Sequence, residues 1–209
     1  MSDIRVITIN GMHGAGANDI GALVAQQFGW NLLDKALVEQ IAAKAEVKAE
    51  VLERYDEHVD PWFSRLLKSL WRGGSEYGSG EAGAAVMDCE SMLDLTKRAV
   101  REAAKIGNCV IVGRGGQCIL SGRDDVYHVF IHAPFERRIR RIARATRDAE
   151  TAKAQIDRTD RERSGYIRRF FDEDWCEPGL YDLMLNATMS DAAAAGVIAC
   201  AVRGQSGKE

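Results

Sequence analysis

Three groups of residues in this chain have types and spacings suited to handling phosphate. The first is Gly11-Met-His13-Gly14-Ala15-Gly16, a glycine run set between an apolar β-branched stretch and a helical pattern. At such a junction the backbone N–H groups and the helix N-terminus point at one spot, where an anion, phosphate above all, is held. Gly11 to Gly16 has the spacing of the P-loop frame G-x-x-x-x-G-K-[ST], but Ala17 stands at the lysine position and Asn18 at the hydroxyl position. A dinucleotide fingerprint G-x-G-x-x-G fits less well, because Gly14-Ala-Gly16 is followed by Ala17-Asn18-Asp19 with no third glycine. The plain alternative is a glycine turn that holds nothing.

The second group, Gly113-Arg114-Gly115-Gly116, follows the apolar run Cys109–Val112. An arginine offers phosphate a planar fork, and the flanking glycines let backbone approach closely. An arginine covering a helix end in solvent is the competing reading. The third group lies between Arg137 and Arg169, where eleven arginines stand against Asp148, Glu150, Asp157, Asp160 and Glu162. Arg137, Arg138, Arg140, Arg141 and Arg144 pass all the way round a helix, so some of them are merely solvated. Asp157, Asp160, Arg161 and Arg163 cluster further on. One reading is a lid that closes over polyphosphate and neutralises the charge of a transferring phosphoryl group. A nucleic-acid face ranks lower, since the interleaved aromatics are only Tyr166, Phe170 and Phe171. For any single arginine, a salt bridge on a helix surface is the bland expectation.

The elements that must position these groups are legible in outline. Ile4 to Asn10 is mostly apolar and β-branched, as in a buried strand, and Ile20, Leu23, Val24 and Phe28 recur at helical spacing after the first glycine run. Trp30 to Leu33 reads as a short strand and Lys35 to Val51 as a helix. From about Glu57 to Ala85 the character changes: Pro61 interrupts, Trp62 to Trp71 is amphipathic, and Arg72 to Ala85 is glycine-rich, which reads as an inserted subdomain. Met87 to Ile106 is helical, Cys109–Val112 and Val126 to His132 are strands, and one long arginine-rich helical stretch runs to about Phe171. Tyr181 to Asn186 is a fifth strand before an alanine-rich helix. Strands alternating with helices imply a parallel α/β sheet covered on both faces, with both glycine loops at its carboxyl edge facing one crevice.

Composition sets the bounds. The 209 residues suit one domain with an insertion, and 46% hydrophobic with 28% charged residues is ordinary for a globular protein. The formal charge of −3 gives no field that argues for nucleic acid or an anionic membrane. Five cysteines, an odd number without a Cys-x-x-Cys pair, read as reduced thiols in a cytoplasm. The alanine-rich run from Ala192 to Val202 is far short of the roughly 20 residues that span a bilayer. A resident metal site is not expected.

Several pieces, taken in chain order, resemble the cytidylate kinase-like family of P-loop nucleoside monophosphate kinases, its short branch in particular. They begin with Val6-Ile-Thr-Ile9, Gly14-Ala-Gly16, Ile20-Gly21, Leu33-Asp34-Lys35 and Val110-Ile-Val-Gly-Arg-Gly115. They continue with Val129 to Glu136, Arg138-Ile139, Arg141-Ile142, Asp160, Arg163, Tyr166, Pro178, Tyr181-Asp-Leu183 and Asn186. The resemblance implies a three-layer P-loop kinase fold: a five-stranded parallel sheet, helices on both faces and a small helical inserted subdomain. Residues 1–209 would form one domain, with the acceptor-binding insertion at about 35–90 and the lid at about 145–175.

By the same resemblance Gly11, His13, Gly14, Ala15, Gly16, Ala17, Asn18 and Asp19 would hold the phosphates of ATP. Gly113, Arg114 and Gly115, with Asp34 and Lys35, would hold the acceptor. Arg114, Arg138, Asp157, Arg158, Arg161 and Arg163 would carry catalysis, and Mg²⁺ would arrive with ATP. The implied reaction is ATP with CMP or dCMP giving ADP with CDP or dCDP, in a monomer or homodimer. Three positions depart from the family: Ala17 for the loop lysine, Asn18 or Asp19 for a loop hydroxyl, and Val112 for an aspartate before the glycine-arginine pair. The short branch's usual Gly-Gly-Arg-Glu is also absent at Ala17-Asn18-Asp19. Losing a cation next to a transferring phosphoryl group costs about 2.7–4 kcal/mol on the scale of one transition-state donor. The departures therefore keep a second function in view: a nucleotide-binding sensor of the same fold with weak or lost transfer.

Overall fold

A strand covered on both faces is largely apolar, and the central strand here buries its two polar side chains, Thr8 and Asn10, only with hydrogen-bond partners. Val6–Gly11 (β1) is buried at every residue. It pairs in parallel with Cys109–Val112 (β3) on one side and with Val126–His132 (β4) on the other. Asn31–Leu33 (β2) adds to β3 and Leu183–Asn186 (β5) to β4, so the sheet runs β2-β3-β1-β4-β5 with every pair parallel. The computed structural model describes residues 3–34, 37, 65, 66, 70 and 89–205. Its helices are Ala17–Phe28 (α1), Cys89–Ile106 (α2), Gly116–Ile119 (α3), Phe135–Thr146 (α4), Ala149–Phe171 (α5) and Asp191–Gln205 (α6). This is the expected five-stranded parallel α/β sheet.

The two-residue period of the strands divides the core between the faces. Ile7 and Ile9 of β1, Val110 and Val112 of β3, and Val129 and Ile131 of β4 pack with Ile20 and Val24 of α1 and Ala194, Ala195 and Ile198 of α6. On the opposite face Val6, Cys109 and Ile111 meet Ala99, Val100 and Ala103 of α2, together with Leu66 and Leu70. The exits of β1 and β3 diverge. From β1 the chain crosses the first face through α1, and from β3 it enters α3 on the second. Neighbouring parallel strands that part in this way leave a crevice at their carboxyl ends.

The structure moves several boundaries. The first strand starts at Val6 rather than Ile4, because partners on both sides begin there, at Cys109 and Val126. The arginine-rich stretch is two helices rather than one. Arg147 adopts a left-handed φ of 59° and Asp148 caps α5, its carboxylate accepting the Thr151 N–H at 2.7 Å; an aspartate three residues ahead of that amide is a helix start. Tyr181 lies outside the last strand, after a single 3₁₀ turn, Pro178–Leu180, and its hydroxyl donates to the Trp175 carbonyl at 2.8 Å. Most of the inserted segment, including Trp62 and Trp71, lies outside the described residues. Among the described residues no helix is long and apolar enough to cross a membrane.

His128 gives the sheet a pH-sensitive point. Its Nδ1 lies 2.7 Å from the Thr8 hydroxyl across the β1–β4 pair, and burial holds the imidazole below its ordinary pKa against a smaller pull from Asp182. Below about pH 6.5 the unfolded chain takes up a proton that the folded chain refuses, so stability falls with pH until the folded imidazole also titrates. Urea unfolding from pH 7.5 down to 5 is expected to show this decline. In His128→Gln, which keeps a hydrogen-bonding side chain without the titration, the decline should be shallower.

Candidate functional site

The first glycine run leaves β1 as a tight loop. The Met12 N–H donates to the Ile131 carbonyl at 3.0 Å and the Ala15 N–H to the Met12 carbonyl at 3.0 Å. Gly14 at φ 81° and Gly16 at φ 97° take left-handed conformations that side chains resist, and Gly16 caps α1 with no side-chain acceptor. Gly14 also has to lack a Cβ for packing, since one would lie 3.0 Å from both Cβ and the carbonyl oxygen of Arg138. The second run is equally strained. Gly113, Arg114 and Gly115 are left-handed in succession at φ 73°, 60° and 68°, and a Cβ on Gly115 would meet the Phe171 ring at 2.9 Å. Arg114 pays for this as a non-glycine residue, a pattern that gathers at functional sites.

Between the two loops is a cavity of about 690 Å³. β1 contributes Asn10 and Gly11 to its wall, α1 Ala17 and Asn18, and the second loop Gly113, Arg114 and Gly115. Glu162, Arg163, Tyr166 and Phe170 of α5 close the far side, with Thr96 of α2 beside them. Arg163 donates to the Gly11 carbonyl at 2.5 Å. Burial lowers its pKa, and the neighbouring Arg114 guanidinium lowers it further against the pull of Asp160. Two like charges thus share a partly desolvated space.

α4 and α5 clamp the outside of the first loop. Asp160 accepts the His13 backbone N–H at 2.7 Å through one carboxylate oxygen and binds Arg138 at 2.5 Å through the other. Arg138, only 8% exposed, also donates to the His13 carbonyl at 3.3 Å. The His13 ring is held below its ordinary pKa, first by burial and then by Arg163, and its Nε2 is buried with no hydrogen-bond partner. Arg141 binds Asp191 at 2.7 Å and also pairs with Asp19.

Of the residues singled out in the sequence, Gly11, Ala17, Asn18, Gly113, Arg114, Gly115 and Arg163 meet on the cavity wall. His13, Gly14, Ala15 and Gly16 form the loop beside it. Arg138 is not on the wall but is bound to the loop and to Asp160. Arg158 and Arg161 are exposed on α5 with partners on their own helix, Glu162 at 3.8 Å and the Asp157 carbonyl at 3.0 Å. Asp34 accepts the Leu37 N–H at 2.9 Å and is not on the cavity wall, and Lys35 lies outside the described residues. The sequence reading missed Asn10 and Gln117, both buried, which share a 2.7 Å hydrogen bond under the two loops. The available signal was position: each is a polar amide directly beside a glycine run, at the end of a strand and at the start of a helix.

A family model described as the cytidylate kinase-like family matches residues 6–189. The chain belongs to the cytidylate kinase-like family. No curated protein matches this member significantly. Among solved structures, an uncharacterized protein from Eubacterium ventriosum ATCC 27560 is similar at TM-score 0.70 and 16% identity, covering 95% of this chain and 98% of its own. Shikimate kinase from Acinetobacter baumannii in complex with shikimate is similar at TM-score 0.53 and 15% identity, over 98% and 96%. A gluconokinase from Sinorhizobium meliloti 1021 is similar at TM-score 0.51 and 10% identity, over 98% and 95%. At these identities the likeness establishes the fold, that of the P-loop kinases. The cytidylate kinase-like family and this fold together support a nucleotide or small-molecule kinase.

The clamp on the loop can be tested through stability. Asp160→Ala leaves the buried Arg138 guanidinium without its carboxylate and is expected to cost about 2 kcal/mol in urea unfolding. Combining it with Arg138→Leu removes the stranded charge and should recover part of that loss. A double variant no more stable than the single would mean the pair does not hold α5 to the loop.

Proposed function

We propose that the protein transfers the γ-phosphoryl group of ATP to a nucleoside monophosphate, CMP or dCMP first among them. The observation that carries this reading is the convergence of Arg114 and Arg163 on one cavity at the sheet's carboxyl edge, beside a P-loop backbone. A phosphate entering between the two guanidiniums relieves their repulsion and receives planar, charged donors.

In the transfer, an oxygen of the acceptor phosphate attacks the γ-phosphorus while the bond to the ADP oxygen breaks in line. The acceptor is already anionic, so no general base is needed. The protein's task is to align the two phosphates and spread the charge that accumulates between them. Gly11 to Asn18 face the donor in this scheme, and Arg114 with Gly113 and Gly115 faces the acceptor. Arg163 lies between them, and the segment at about 145–175, mainly α5, acts as the lid that carries Asp157, Arg158 and Arg161. The insertion at about 35–90 is assigned to acceptor binding by the family resemblance alone.

Magnesium fits this site as a companion of the phosphates rather than as a resident ion. Among the described residues no three carboxylates, histidines or cysteines gather to hold a metal, and the Asp19 carboxylate is paired with Arg141. Asn18 is the loop side chain on the cavity wall with an oxygen to offer. Bound with ATP, the ion would neutralise phosphate charge.

A second reading, a nucleotide sensor with weak or lost transfer, draws on the loop itself. Ala17 brings no charge to the cavity wall, and the His13 N–H that a phosphate would take is held by Asp160.

ADP formation from ATP and Mg²⁺ with CMP, dCMP, UMP, AMP and GMP separates the two. Acceptor-dependent turnover is expected, falling about 100-fold or more in Arg114→Ala, the scale of one transition-state donor, with the melting temperature unchanged. Full activity in Arg114→Ala would remove that residue from the acceptor site. Absence of turnover together with melting temperatures raised by ATP or CMP would favour the sensor.

A further inference from the structure

Polyphosphate at a P-loop needs a cation beside the helix N-terminus, and position 17 supplies none. Another part of the chain brings one to the same place. Arg141, on α4, lays its guanidinium against Gly16, the residue before Ala17, so closely that a Cβ on Gly16 would sit 2.6 Å from Nη1. Arg114 and Arg169 line the cavity, and three other cations near the loop have partners of their own. Arg138 binds Asp160 and the His13 carbonyl, Arg163 binds the Gly11 carbonyl, and Arg137 donates to the Met189 carbonyl at 2.5 Å.

The two carboxylates on Arg141 are unlike. Asp191, in the first turn of α6, takes both terminal nitrogens at 2.8 and 2.7 Å with its side chain 30% exposed. Asp19, in the first turn of α1, touches Nη2 alone and is 69% exposed. The first is an anchor that aims the guanidinium at the loop. The second is an exposed contact on the side facing α1, which another anion can replace at little cost.

We propose that Arg141 is the cation of the donor-phosphate site, taking the place of the absent P-loop lysine, and that Asp19 holds the edge of the guanidinium that a phosphate oxygen of ATP takes on binding. This rests on the reading of the loop as an ATP site. A gap in the motif at position 17 is thereby filled from α4. A purely structural Arg141 would only tie α1 to α6 and screen the Asp19 charge.

Titration calorimetry with MgATP, without acceptor, separates these roles when Arg141 is changed in an Asp19→Asn background, where no carboxylate at position 19 is left to screen. There Arg141→Gln is expected to raise the Kd for ATP about 10- to 100-fold, the range of a charged hydrogen bond. Ala17→Lys added to it should recover much of the loss by restoring the charge from the motif's own position. An unchanged Kd for Arg141→Gln in that background would overturn the proposal and leave Arg141 as a clamp. Should Arg141→Gln unfold, Arg141→Met decides, because it keeps the apolar stem of the side chain and removes the charge. With its melting temperature preserved, a Kd several-fold higher supports the proposal and an unchanged Kd overturns it. If neither the parent protein nor Asp19→Asn binds ATP while both remain folded, the nucleotide reading itself falls, and this inference falls with it.

Discussion

The constraint on which the rest depends is the burial of β1 between two parallel neighbours. A strand with partners on both edges and helices on both faces has no free surface except at its ends, so whatever chemistry it serves must happen where the chain leaves it. At the carboxyl end that exit is Gly11, pressed against the Ile131 backbone so that no side chain fits. The loop beyond it has little freedom. Met12 is tied back to β4, Gly14 lies under Arg138, and Gly16 turns into α1. The same sheet brings β3 alongside and sends its exit to the other face, which opens the cavity between the two glycine runs.

The charge distribution around this cavity follows from what each arginine can reach. Arg114 of the second loop and Arg163 and Arg169 of α5 line the cavity, while Arg138 and Arg141 of α4 lie against the first loop and are paired with acids. Arg138 with Asp160 and Arg141 with Asp191 are pairs in which one helix grips another through the loop or through the start of α1. α4 and α5 are therefore tied to the loop by charged contacts.

Tyr166, Phe170 and Phe171 show a further economy. The sequence offers them as too few aromatics for a nucleic-acid face. In the fold Tyr166 packs against both phenylalanines, with ring centroids 5.1 and 6.0 Å apart, and Tyr166 and Phe170 wall the cavity. Phe171 reaches Gly115, so the end of α5 is fitted to the second loop through a glycine that leaves room for a ring. Apolar packing thus sets the distance between the loop that bears Arg114 and the helix that bears Arg163.

By itself the sequence determined the parallel α/β class, the two glycine runs at the ends of strands, the arginine-rich segment and the family, because each is written in local pattern: two-residue strand alternation, helical periodicity, glycine spacing. It also revealed what is absent at Ala17 and Asn18. Only the tertiary structure decided which of eleven arginines serve the loop, which pair with acids, and which remain on the surface. Those choices join residues far apart in the chain, as with His13 and Asp160, 147 positions apart, or Asp19 and Arg141, 122 apart. No local spacing encodes such a meeting. It depends on which helix face packs inward, and an ion pair forms only between the charges that packing brings within reach.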